Sequence, residues 1–161
     1  MNNFSPQSKV CVYQSNREFN TTEVKEIKKL GLLFTTGWTA HGSQLNASLN
    51  ILYNRFIVLI VDENDASASG CSIDKSLIFI KKIENQFNCI LLDRMAVAYK
   101  NGSNVLACTL ADFKKLLREN KVDKNTIVFN NMVTTKKDFD LTWESTLENS
   151  WHKIFLSVSQ N

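Results

Sequence analysis

Proline and histidine are the scarcest chemistries in this chain of 161 residues: one proline, Pro6, and two histidines, His41 and His152. A lone proline so near the start leaves no proline-rich linker to divide the chain, and no repeat or low-complexity stretch does so either. Two histidines are too few for a His-built metal centre. The four cysteines, Cys11, Cys71, Cys89 and Cys108, stand far apart with no Cys-x-x-Cys pair. That scatter suits a reducing cytosol better than a zinc ribbon or a disulfide framework. No metal and no cofactor is expected. Long hydrophobic runs are also missing. The longest, residues 56–61, is far too short to cross a bilayer, and the polar first eight residues lack an apolar export core. A cytoplasmic protein without membrane insertion is the expectation.

Charge of one sign is scarce as well, with a net of +3 over the whole chain. The lysine pairs Lys28-Lys29, Lys81-Lys82, Lys114-Lys115 and Lys136-Lys137 fall within helical patterns, where a solvated outer face accounts for them. No aromatic-rich RNA-binding signature accompanies them, so nucleic acid is not an expected partner. What is present is ordinary globular material, 43% apolar and 22% charged, in a length that suits one domain over residues 1–161 with a sizeable core.

The apolar spacing predicts a strand over residues 9–14, then a helix opened by the Asn20/Glu23 capping box and ended by Gly37. Residues 44–53 and 55–62 read as two strands reversing at Asn54. The second is solidly apolar and belongs in the middle of a sheet. Ile73, Leu77, Ile80, Ile83 and Phe87 make one stripe of a helix over residues 72–87. Asn101-Gly102 marks a hairpin between strands at 96–100 and 104–110. Thr109, with Asp112 three residues on, caps a helix; a strand over 126–133, a helix from Thr134 or Thr135 and a final amphipathic piece follow. Two strand–strand links are too short for crossover helices. The fold class is therefore α+β, a single domain with a mixed, largely antiparallel sheet packed with about four helices.

Residues 37–44 hold two glycines at the separation of a phosphate-binding loop, and residues 57–63 imitate the apolar strand ending in Asp-Glu that ATPases use for magnesium and water. Yet Ser43 stands where the phosphate lysine belongs and Gln44 where the magnesium hydroxyl belongs. The loop also follows a helix and precedes a strand, the reverse of the order that aims N–H groups at phosphate. The segments Val10-Cys11-Val12-Tyr13-Gln14-Ser15-Asn16-Arg17, Trp38-Thr39-Ala40-His41-Gly42, Gly70-Cys71-Ser72-Ile73-Asp74-Lys75-Ser76, Val128-Phe129-Asn130-Asn131 and Ser150-Trp151-His152 resemble those of a small bacterial family often labelled "ABC transporter ATPase". The resemblance runs over nearly the whole chain and implies a bacterial protein. An ATPase activity is not expected from residues that fail the loop test, and the chain is short for such a nucleotide-binding domain.

Residues 69–76 turn from small and polar directly into a helix, which would set Cys71 at a helix N-terminus where a thiolate is favoured. With His41 as base and Asp62 as its orienting acid, this reads as a cysteine-dependent hydrolase or transferase. The same three residues also read as a packed turn cysteine, a surface or capping histidine and a strand-end acid, and the sequence favours that reading. A second set, Arg17, Gly70, Ser72 and Asn131, offers donors to a small anionic ligand. Trp38, Trp143 and Trp151 suit either core closure or a protein partner, core closure being expected for Trp143. Binding of a small anionic ligand or a protein partner is the expected function, with the cysteine enzyme as the alternative.

Overall fold

An unbroken apolar strand must be covered on both faces, and the fold is built around that requirement. The computed structural model describes residues 3–40, 42–62 and 70–160, leaving aside the side chains of residues 40, 70–73 and 158–160. In chain order the elements are β1 (Lys9–Gln14), α1 (Thr21–Thr36), β2 (Thr39–Ala40), β3 (Ser43–Gln44), β4 (Asn46–Leu52), β5 (Phe56–Asp62), α2 (Gly70–Phe87), β6 (Val97–Asn101), β7 (Asn104–Cys108), α3 (Leu110–Arg118), β8 (Ile127–Phe129), α4 (Lys136–Thr142) and β9 (Glu144–Thr146). Two 3₁₀ segments, Leu147–Asn149 and Trp151–Gln160, close the chain.

The strands divide between a sheet ordered β1-β5-β4, a sheet ordered β7-β6-β8-β9 and the small β2-β3 hairpin, and every pairing among the described strands is antiparallel. Register sets Val10, Val12 and Gln14 of β1 beside Ile60, Val58 and Phe56 of β5 on one face. Cys11 and Tyr13 take the other face with Leu59 and Ile57. The Tyr13 face packs on α1 and α2 through Ile27, Ile80, Ile83 and Phe87. The Val10 face packs on Ala98, Val105 and Phe129 of the second sheet and on Phe139 and Trp143. The second sheet's outer face, with Val97, Tyr99 and Val128, is covered by Phe113 and Leu117 of α3 and by Phe155. The result is four layers, helices–sheet–sheet–helices. Trp143 is in the central seam, buried as its sequence context suggests.

Local chemistry sets the boundaries. Asn20 Oδ1 accepts from the Glu23 N–H at 2.9 Å and Glu23 Oε2 from the Asn20 N–H at 2.8 Å, a cap worth about 1 kcal/mol. Thr109 and Thr135 cap α3 and α4 in the same way, each accepting from the backbone three residues on at 3.1 Å. Gly37 ends α1, and Gly42, at φ +81°, belongs to the β2–β3 hairpin. The described residues 37–40 and 42–44 are thus a helix stop and a paired β2–β3 hairpin, not a phosphate cradle. At the β4–β5 reversal both Tyr53 and Asn54 have positive φ, 51° and 49°. That conformation is costly for tyrosine. Its hydroxyl bonds Glu144 of β9, whose other oxygen takes Lys100 Nζ at 2.5 Å, so the turn is held against the second sheet.

Candidate ligand-binding cleft

β1 is an edge strand of its sheet, and only part of its outer edge is paired. The Val10 N–H bonds the Thr134 carbonyl at 2.9 Å, and past the strand the Asn16 N–H bonds the Ile90 carbonyl at 3.0 Å. Alternation turns the main-chain groups of Val12 and Gln14 to that same outer side. Among the described residues nothing pairs with the Val12 N–H. A cleft of about 190 Å³ opens along this gap.

Its walls are pinned by side chains. Asn88, at φ 49°, ends α2, and the Cys89 N–H reaches back to the Glu84 carbonyl. The Glu84 carboxylate then accepts from the N–H groups of Leu91, at 2.6 Å, and Leu92, at 3.0 Å. Asp93 accepts from the Met95 N–H at 2.9 Å. The 91–94 wall is therefore fixed in place, with Arg94 exposed at the mouth and making no ion pair among the described residues. The opposite wall is the turn after β8, in which Asn130 Oδ1 accepts from the Met132 N–H at 3.1 Å. The third side is Trp151, 39% exposed and stacked on His152 at a centroid distance of 4.0 Å.

A relay of amides fixes the polar floor. The Trp143 indole N–H is a donor only, so Asn131 must turn its oxygen to it, at 3.1 Å. Asn131 then presents its NH₂ to Gln14 Oε1, at 2.8 Å. This orients Gln14 in turn, and its Nε2 is left buried without a partner in a residue that lines the cleft and is only 5% exposed. An orphaned buried amide donor costs on the order of 1–3 kcal/mol and calls for an acceptor.

The titratable side chains here are mostly neutral. Burial holds the His152 imidazole down at about 4, with Nδ1 2.7 Å from Ser150 Oγ. Burial pushes Tyr13 up to about 12. Cys11 keeps part of its surface open, yet the protein crowding it on other sides raises its thiol too. Asp93 and Arg94 are then the formal charges of the lining, one of each sign.

Of the sequence candidates among the described residues, Asn131 lies in this cleft. Arg17 lies outside its lining. The guanidinium grips Glu23 through both nitrogens, at 2.7 and 2.9 Å, and bonds the Phe87 carbonyl, tying α1 to the end of α2. Asp62 ends β5, half-buried and opposite Asn46. Helix α2 starts at Gly70 rather than at Ser72, so Gly70, Cys71 and Ser72 form its first turn; their side chains, and His41, lie outside the described residues. Sequence reasoning missed Gln14, Arg94 and His152. The signal for Gln14 was available: it continues the Val10, Val12 face, where a polar residue is out of place. Among the described residues no three His, Cys, Asp or Glu side chains are placed to hold a metal, and no helix is long and apolar enough to cross a membrane. No protein-family model, curated protein or solved structure matches this chain.

Proposed function

We propose that this chain is a cytoplasmic binding module for a small anionic ligand, received in the cleft beside β1. The observation that carries the reading is Gln14, a residue of the cleft lining whose side-chain Nε2 is a buried donor without an acceptor. Asn131 holds it in that orientation, the Val12 N–H offers a second neutral donor, and Arg94 supplies a cation at the mouth. Amide donors and one guanidinium in a single lining suit an oxyanion. Bacterial origin and membership of the family labelled "ABC transporter ATPase" are part of this proposal and rest on the segments quoted above. ATP hydrolysis is not part of it.

The test is thermal unfolding against millimolar acetate, butyrate, phosphate and sulfate, for the parent chain and Gln14→Leu. The reading predicts a saturable rise in melting temperature with at least one of these anions, lost in Gln14→Leu, a variant that also takes the acceptor from the Asn131 NH₂ and is therefore expected to unfold somewhat earlier when alone. No rise with any anion overturns it. A second reading, a protein partner, is favoured by the exposed Met95, Met132 and Trp151 about the cleft. It predicts that Met132→Ser disrupts a complex and leaves anion binding intact.

A further inference from the structure

The cleft's lining is more particular than anion binding requires. Its formal charges are one Arg94 and one Asp93, so it offers no net positive field to a dianion. Stripping water from a phosphate would be poorly offset by two neutral amide donors and a single exposed guanidinium. Much of the remaining wall is hydrocarbon, including Val10, Val12, Leu92, Phe129, Met132 and Val133. The buried part of the lining is both polar and apolar, Gln14 lying as deep as Val10, Phe129 and Val133. Gln14 is buried at the floor beside Asn131, whereas Arg94 and Met132 are exposed at the rim.

We infer that the ligand is a small monocarboxylic acid with an apolar body, its carboxylate received at Gln14 Nε2 and its hydrocarbon part lying along the Val10–Val12 and Val133 surface. This rests on the binding reading above and narrows it to one chemical class. A carboxylate brings a single charge, which the amide donors solvate without a second cation. Its apolar body displaces water from surface that phosphate would leave wet. The aromatic ledge of Trp151 on His152 closes one side of that space.

The experiment is an NMR titration of the ¹⁵N-labelled full chain with acetate, propionate, butyrate and pentanoate, and separately with inorganic phosphate and sulfate. Dissociation constants are read from the amides of Val12, Gln14 and Asn131. The inference predicts saturable shifts with the carboxylates, each added methylene tightening binding about fourfold until the cleft is full. It predicts no saturable response to phosphate or sulfate. Arg94→Gln, a surface change, should weaken every carboxylate about equally, and Gln14→Leu should abolish the response. Phosphate or sulfate binding at these amides in preference to carboxylates would overturn the carboxylate class and leave the binding module standing. Carboxylate affinity flat with chain length would overturn the apolar body. No response to any anion would overturn both.

Discussion

The Trp143 indole N–H and the Asn131 side-chain oxygen, 3.1 Å apart, determine which end of the neighbouring Gln14 amide is left unpaired. Because indole nitrogen cannot accept, the orientation passes from a core aromatic to the cleft floor without ambiguity. Asn131→Asp tests this. An aspartate cannot donate to Gln14, so the Gln14 amide would turn and give its NH₂ to the new carboxylate. The expected outcome is loss of anion binding in calorimetry with the fold retained. Asn131→Leu instead orphans both neighbours and should cost about 1–3 kcal/mol in urea unfolding.

His152 makes stability depend on pH with a definite sign. Its folded value, about 4, lies below the ordinary 6.5, so between those values the unfolded chain binds a proton that the folded chain refuses. The contribution is whole above pH 6.5 and is lost as pH falls toward 4, by up to about 3 kcal/mol. Urea midpoints from pH 7.5 to 4 should drop in the parent chain and drop less in His152→Phe.

Arg17 is a structural clasp, joining Glu23 at the start of α1 to the Phe87 carbonyl at the end of α2. The pair is partly exposed, so Arg17→Ala should lower stability by only about 1 kcal/mol. Anion affinity should not change, since Arg17 lies outside the cleft. A calorimetric affinity altered by more than about twofold, a difference of roughly 0.4 kcal/mol, would place it in the site after all.

Gly31 permits α1 to lie close on β4. A Cβ there would stand 2.8 Å from Leu49 Cδ1 and 3.0 Å from Leu49 Cβ. Alanine favours a helix interior by about 1 kcal/mol, but overpacking of this kind costs about 1–3 kcal/mol. Gly31→Ala is therefore expected to destabilise in urea titration, and Leu49→Ala in the same chain should relieve part of the loss.

Much of the fold was legible because local signals agreed with it. The Asn20/Glu23 box, the Thr109 and Thr135 caps and the apolar run of β5 each describe a few adjacent residues, and those elements formed where the residues placed them; the hairpin marked by Asn101-Gly102 also formed, with Asn101 inside β6 and the turn one residue later at Gly102-Ser103. The division into two stacked sheets was not legible. It depends on β8 joining β6 rather than β5, a long-range choice with no local mark. Short β9 and the 3₁₀ form of the last segment escaped for a related reason, since neither has a period long enough to read. The site followed the same rule. Asn131 stood out as a polar pair after a strand, but the partners of Gln14 and Arg17 are set by tertiary contacts: Gln14 finds Asn131 far along the chain, and Arg17's fork is taken up by α1 and α2.

The account stands on the Gln14 side-chain amide, and its ¹H–¹⁵N NH₂ resonances report on it most directly. During titration with butyrate they should move with a saturable curve matching that of the Val12 amide, as the unpaired donor gains an acceptor. Gln14 resonances that stay fixed while butyrate is raised to tens of millimolar, or that already show a slowly exchanging hydrogen-bonded NH₂ without it, would contradict the account.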